Sequence, residues 1–365
     1  MYDLIVVGGG PAGSSAAIAC ARHGARVLML ERGQFPRHKV CGEFVSAESL
    51  ELLSELLAPQ HAVLVADAVR IARARLFLDG SMIKTAFDPC AASISRLDLD
   101  AALWDSAERS GVDGRQQVVV QSISGTDPFL VTTSVGEFKG RALINASGRW
   151  SNLNPTGTDM TQIPVKWLGL KGHFAESSPL ASVDLYFLDG GYCGVQPVIL
   201  RDEDEKTGRV NVCAMVRADV ASTLPEVFDC HPGLRKRSRG WRPLSEPVTT
   251  SPLVFREPQP ERDGILMTGD AAGFVDPFVG DGVSLALRSG TLGAECLIPF
   301  FAGRISLRQA ARDYRSGYER RLTPVFRTAS RIRRMLNLPQ SVRIPIFRLL
   351  EQMPAITRYL VRRTR

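Results

Sequence analysis

The stretch YDLIVVGGGPAGSSAAIACARHGARVLMLERG, residues 2–33, limits what this chain can fold into more than any other. Leu4 to Val7 is a short apolar run suited to a buried strand. A glycine cluster follows, and small and apolar residues then recur at helical spacing up to His23-Gly24. A second apolar run, Arg26 to Leu30, stops at Glu31. Strand, tight turn, helix, strand and acid place a G-x-G-x-x-G unit in a context with a definite physical use. Gly8 permits the turn. Gly10 lets backbone N–H groups approach a pyrophosphate at the helix N-terminus, and Gly13 lets that helix lie close on the strand. Glu31, 23 residues after Gly8, is placed to accept from a ribose hydroxyl pair. An acid there suits an unphosphorylated adenosine ribose, so the unit reads as a site for FAD or NAD rather than NADP.

The 365 residues exceed one ordinary domain, so two lobes, or a large fold with an inserted lobe, are expected. Seven cysteines, an odd number, are scattered without a C-x-x-C pair, which argues against a disulfide framework or zinc site and suits a reducing cytosol. The N-terminus carries no basic leader, and no run approaches the roughly 18 apolar residues of a membrane span. A cytoplasmic protein is expected. Residues 331–365 hold nine arginines and one acid, Glu351, a net +8 against +7 for the whole chain. The rest is close to neutral, which argues against a nucleic-acid groove and for a basic terminal segment.

A second glycine-rich segment, GILMTGDAAGFVDPFVGDGVSLALRSG, lies at residues 264–290. It reads as a strand, Ile265 to Thr268, a Gly269-Asp270 stop, and a Gly280-Asp281-Gly282 turn feeding a helix that begins near Val283. The positive end of that helix would stabilise anionic charge on a reduced flavin. Together with GGGPAG and LERG, this segment resembles the FAD-dependent oxidoreductases that include the geranylgeranyl reductases and the aromatic hydroxylase-like flavoproteins. ISRLDLDAAL at 94–103 and LINASGRWS at 143–151 are similar to two further segments of that family, in the same order.

The resemblance implies an α/β fold: a Rossmann-type FAD-binding domain (1–67, 89–154 and 261–330), an inserted, mainly antiparallel substrate lobe (68–88 and 155–260) and a basic helical segment (331–365). It implies non-covalent FAD held by Gly8, Gly10, Pro11, Ala12, Gly13, Glu31, Arg32, Cys41, Gly42, Arg96, Gly269, Asp270, Pro277, Gly280, Asp281, Gly282 and Val283. Arg96 is expected to reach the flavin, with Asp100 and Leu103 starting a helix. No second G-x-G-x-x-G unit stands out, so NAD(P)H or another external donor would visit only transiently.

FPRHKVCGEFVS, residues 35–46, matches a family loop of the form PRxKxCG that runs beside the flavin. Arg37, His38 and Lys39 flank Cys41 with charge that favours its thiolate. Where the family often has a second glycine after the Cys-Gly pair, this chain has Glu43. Cys41 and Glu43 are candidate catalytic groups for proton relay, and pairing of Glu43 with Lys39 is the plainer alternative.

Between Pro155 and Pro260, short runs of β-branched and aromatic residues predict strands near 166–174, 183–188, 192–198 and 209–216; residues 68–88 predict a hairpin turning at Asp79-Gly80. YCGVQP at 192–197 stands where geranylgeranyl reductases have Tyr-x-Trp-x-Phe-Pro, with Gly194 and Gln196 in place of Trp and Phe. Tyr192, Trp167 and Gln196 are the candidate substrate contacts in a wider or more polar cavity, and His173 reads as a hydrogen-bonded sheet residue. The Trp-x-Trp-x-Ile-Pro signature of flavin halogenases is absent. Reduction or dehydrogenation of carbon–carbon bonds in an apolar prenyl- or polyketide-like molecule is expected. The alternatives are a monooxygenase acting on an aromatic or polyketide substrate and an electron-transfer flavoprotein. Pro339, Pro345 and Pro354 are expected to break the basic end into short helices that serve as a cap or contact a membrane surface.

Overall fold

The structure, a computed structural model, describes residues 1–149, 153, 166–200, 208–251, 253, 255–336 and 338–352. From the N-terminus come β1 (Tyr2–Val7), α1 (Pro11–Arg22), β2 (Val27–Leu30), β3 (Phe44–Val45), α2 (Ala47–Leu56) and α3 (Val63–Ala66). A hairpin of β4 (Val69–Leu78) and β5 (Ser81–Ser93) precedes α4 (Arg96–Arg109). Next are β6 (Asp113–Arg115), β7 (Val120–Ser124), β8 (Phe129–Thr133) and β9 (Gly136–Asn145). β10 (Trp167–Ala175), β11 (Ser182–Leu188), β12 (Gly191–Pro197) and β13 (Arg209–Arg217) lead to the short α5 (Leu224–Asp229) and α6 (Pro232–Ser238). Then come β14 (Arg242–Pro243), β15 (Val248–Thr250), β16 (Glu261–Arg262) and β17 (Ile265–Met267). The helices α7 (Gly282–Phe301), α8 (Leu307–Arg321), α9 (Thr323–Leu336) and α10 (Gln340–Gln352) follow.

β1 is apolar without alternation because both its faces are covered, as a parallel sheet requires. Leu4 and Val6 enter a core shared with α1, α4, α7 and α8, while Ile5 and Val7 pack under the β7–β8 ribbon. The sheet runs β16-β17-β9-β1-β2-β6, and β1 pairs in parallel with both β2 and β9. The C-terminal ends of β1, β2, β9 and β17 therefore open on one edge, where a doubly wound sheet binds its ligand.

The second sheet runs β14-β10-β13-β12-β11-β4-β5-β3 and is antiparallel apart from the β11–β4 pair. The even residues of β10, Leu168, Leu170 and Phe174, enter its outer core. The odd ones, Gly169, Lys171 and His173, face the loop before β3. This sheet is larger than the sequence boundaries imply, because residues 89–93 are the end of β5 and Phe44-Val45 is its edge strand β3. Pro89 lies within β5 where the pairing with β4 is irregular, so a proline is tolerated there.

Two other expectations change. α4 starts at Arg96, not at Asp100, because Ser95 caps it by accepting from Leu97 N at 3.1 Å. Pro345 lies inside α10 rather than ending it. Packing offsets the missing backbone bond: Phe347 is buried, and Arg343 holds Asp79 at 2.7 and 2.8 Å. Pro354 and the rest of 353–365 lie outside the described residues. Among the described residues no helix is long and apolar enough to cross a membrane.

Candidate functional site

The open edge of the first sheet forms a cavity of about 490 Å³ whose wall includes Gly8, Gly10, Pro11, Ala12, Glu31 and Arg32. Gly8 has φ +105°, and a Cβ on it would stand 2.3 Å from Ala146 O. A Cβ on Gly13 would stand 1.8 Å from Gly8 O, so this residue lies off the cavity and sets how closely α1 packs on β1. A Cβ on Gly10 would meet no atom within 4 Å: the backbone there is bare toward open space at a helix N-terminus. Glu31 accepts from Gly9 N at 3.0 Å and Gly33 N at 2.8 Å and pairs with Arg37 at 3.1 Å. Burial alone would raise its carboxyl, but Arg37 and the two N–H groups outweigh it and hold it below the usual range. One lone-pair position on Oε2 is left for a hydroxyl donor.

The second glycine-rich segment meets the first through α7. A Cβ on Gly290 would stand 2.1 Å from both Ala12 O and Ser15 Oγ, and Ser15 Oγ donates to Leu287 O at 3.1 Å. The helix starts of α1 and α7 thus border one cavity, with Gly269, Asp270, Pro277, Gly280, Gly282 and Val283 on its wall. Gly280 adopts φ +75° at the turn into α7. Asp281 is buried at the N-cap and is not part of the wall. Asp270 lies 3.6 Å from Arg149.

Residues 37–43 close the cavity on the side of the second sheet. Glu43 holds φ +60°, a strained value for a residue with a side chain, and is fully buried. Its carboxylate pairs with Lys171 Nζ, accepts from Arg96 N at 2.9 Å, and bonds His173 Nε2 at 2.9 Å. The expected alternative partner, Lys39, is not the one it takes. Burial would raise the Glu43 carboxyl, but Lys171 and His173 outweigh it and hold it at about 2. Cys41 Sγ accepts from Glu43 N at 3.3 Å, and Asn211 Nδ2 donates to Cys41 O at 3.1 Å.

Arg96 lines the cavity, but its guanidinium is bound to Asp100 by two 2.7 Å bonds. Those bonds engage Nε and Nη2 and fix the guanidinium on the wall, with Nη1 outside the bidentate pair. Lys39 also lines the cavity; burial, reinforced by Arg37 and Arg96, lowers it to about 8.

Among the substrate candidates, Tyr192 lines this cavity and also a second one of about 640 Å³. Trp167 lines only the second. Gln196 lines neither, because its Nε2 donates to Ser93 Oγ at 2.7 Å inside the sheet. The second cavity has an aromatic wall of Trp167, Phe187, Tyr192 and Phe278 and is roofed by α9 and α10 through Arg333, Leu336 and Arg343.

Lys171, Met215 and the Asp276–Arg333 pair (3.5 Å) were not picked out from the sequence. For Lys171 a signal existed: Lys171 and His173, two apart on a strand, must share one face.

The residues present fit a flavin adenine dinucleotide. Gly10 leaves a cradle that a Cβ would fill, and two buried polar atoms on the cavity wall, Arg37 Nε and Thr268 Oγ1, have no protein partner. The sequence profile of the FAD-dependent oxidoreductases matches residues 3–36. Menaquinone reductase of Mycobacterium tuberculosis is 27% identical over 316 residues, which cover 81% of this chain and 76% of that protein. Digeranylgeranylglycerophospholipid reductase 2 of Methanopyrus kandleri is 28% identical over 320 residues, 80% of this chain and 76% of its own. Conditioned medium factor receptor 1 of Dictyostelium discoideum is 24% identical over 352 residues, 86% of this chain and 66% of its own. Among solved structures, a flavin-dependent brominase superposes with a TM-score of 0.77 at 21% identity, covering 100% of this chain and 93% of that one.

Proposed function

The chain belongs among the FAD-dependent oxidoreductases, and from that premise we propose that it reduces or dehydrogenates carbon–carbon bonds of an apolar prenyl- or polyketide-like molecule. The observation that carries this reading is the second cavity, which shares Tyr192 and Met215 with the wall of the first. Its aromatic and aliphatic wall, edged by Asp189, Arg217, Asp276, Arg333 and Arg343, suits an apolar chain that carries a polar end. The reductase relatives act on menaquinone and on digeranylgeranylglycerophospholipid by their names, which supports the same class. Likeness to the brominase extends to the fold, and the Trp-x-Trp-x-Ile-Pro signature is missing.

FAD, when bound, supplies the hydride and electron chemistry. Gly8, Gly10, Pro11 and Ala12 at the start of α1 would hold its pyrophosphate, with Glu31 and Arg32 at the adenosine end. Gly280, Gly282 and Val283 at the start of α7, with Gly269, Asp270 and Pro277, would hold the ring and ribityl end. Cys41, Gly42 and Glu43 shape the wall between that end and the second sheet. Tyr192 separates the two chambers and orients what enters. NAD(P)H or another external donor supplies the electrons.

A cytoplasmic location would suit the seven free cysteines, which a reducing compartment keeps as thiols. α9 and α10 would rest on an anionic membrane surface from which an apolar substrate enters.

The test is an anaerobic incubation of flavin-loaded, reduced protein with a naphthoquinone bearing a prenyl side chain or with geranylgeranyl diphosphate. Reoxidation of the flavin with a product that gains two hydrogens supports the reading. A product that forms only with O2 and carries a new hydroxyl identifies the monooxygenase instead. Flavin that exchanges electrons with protein acceptors alone identifies an electron carrier.

A further inference from the structure

Glu43 is ionised and accepts only, so the His173 nitrogen facing it, Nε2, must carry hydrogen. That fixes the tautomer. The other nitrogen, Nδ1, is buried without a hydrogen-bond partner. A buried polar atom left in that state calls for an explanation, and a proton-transfer role is one. A carboxylate that holds one imidazole nitrogen as a donor makes the other a base. The ring nearest His173 is His38, with centroids 5.6 Å apart, and His38 is on the wall of the flavin-side cavity. No direct bond joins Nδ1 to His38, so a proton would pass between the two rings through one water.

The other groups set around His173 do not compete for its proton. Lys171, two residues along the same strand, is taken up by Glu43. From β13, the residue opposite is the neutral Asn211. From β14, Pro243 is paired with Phe174 and the exposed Arg242 with Ala175, and Leu244 N is bonded to His173 O. From the loop come Glu43 and His38.

We propose that His38 and His173 form a two-histidine proton store for the flavin-side cavity, with Glu43 and Lys171 as the positioning residues that set the tautomer of His173. When a substrate atom takes hydride, the N–H bond of His38 breaks and its proton goes to the neighbouring substrate atom. His38 then takes a proton from a His173 ring charged beforehand by uptake on Nδ1, which returns His173 to its Nε2–H tautomer, and the pair reloads through His38 from water in the cavity. No oxidant or reductant is needed beyond the hydride donor already proposed. The inference rests on the oxidoreductase reading and adds the source of its proton.

The experiment uses the flavin-loaded full chain, reduced anaerobically and mixed with menadione as a quinone probe in a stopped-flow instrument between pH 5 and 9. His38→Gln, His173→Gln and the double variant are compared with the wild type, with FAD affinity and melting temperature measured for each. Glu43→Gln/Lys171→Met removes the positioning pair as a unit.

The expected result is that each single variant slows flavin reoxidation by about tenfold or more and flattens its pH profile. The double variant should be no slower than the singles, since a single relay is broken once. Glu43→Gln/Lys171→Met should show the same flattened profile while still binding FAD. Profiles that superimpose on the wild type, or single effects that multiply in the double variant, overturn the proton store. If His173→Gln does not fold, His38→Gln carries the same test from the cavity wall. Wild-type flavin that reacts with neither menadione nor the prenylated probes removes the substrate reading and the proton store together. A reactive wild type with unchanged variants removes the proton store alone.

Discussion

Two glycine-to-alanine changes separate what the protein needs for itself from what the cofactor needs. At Gly290 the added Cβ would lie 2.1 Å from a backbone oxygen of α1, whereas ordinary Cβ contacts are 3.4–4 Å. Neither backbone can yield locally, so α7 must retreat from α1 by roughly 1 Å, at a cost of about 1–3 kcal/mol. That movement also spreads the two helix starts that border the cavity. At Gly10 the added Cβ would meet no protein atom within 4 Å, and φ is −74°, which alanine adopts without strain. Gly10→Ala should change apoprotein stability by less than about 0.5 kcal/mol. A methyl group in the path of the pyrophosphate should nevertheless weaken FAD by about 1–3 kcal/mol, which is roughly 5- to 150-fold. Apoprotein melting and FAD titration by flavin fluorescence quenching read the two quantities separately. Gly290→Ala should lower both, and Gly10→Ala only the second. A Gly10→Ala protein that binds FAD as the wild type does would refute the placement of the pyrophosphate. Unchanged melting of Gly290→Ala would refute the close approach of α1 and α7.

Three further outcomes are expected. The Glu43 carboxyl is held at about 2 against 4.5 for an ordinary glutamate, so its pairing contributes roughly 3 kcal/mol above pH 4.5, lost as pH falls toward 2. Urea midpoints between pH 2 and 6 should fall more steeply for the wild type than for Glu43→Gln/Lys171→Met, and parallel curves would contradict this. Burial raises Asp276 to about 6 despite Arg333, so the carboxyl destabilises the fold by up to roughly 3 kcal/mol as pH rises from 3.8 through 6. Asp276→Asn should remove that decline; a melting profile with the wild-type slope would show the reasoning to be wrong. Arg331, Arg334 and Arg348 are exposed on α9 and α10, and reversing all three to glutamate should abolish pelleting with phosphatidylserine vesicles at low salt. Equal pelleting of the variant, or of the wild type with neutral vesicles, would dispose of the membrane contact.

The glycine turns, the helix starts and Glu31 were legible because each is a local requirement: a left-handed φ, a bare helix N-terminus, an acid at a strand end. Strand positions in the second sheet were legible for the same reason, since alternation is a property of neighbouring residues. The loop at Cys41 announced its importance, but its wiring was hidden. Glu43 was matched with Lys39, four residues away, whereas its partners Lys171 and His173 are 128 and 130 residues along the chain. Gln196 looked like a substrate contact because it stands in a motif frame, yet in the folded sheet its amide bonds Ser93.

By itself, then, the sequence determined that this protein has a nucleotide-binding α/β half and a sheet-rich insertion, because backbone geometry and side-chain periodicity act over a few residues. Only the tertiary structure decided which charges neutralise each other, which histidine keeps an unpaired nitrogen, and that an aromatic chamber adjoins the flavin site. Those outcomes depend on the register of β10 against β13 and on the packing of α9 and α10 across it, and burial then makes each pairing obligatory by removing water as the alternative partner.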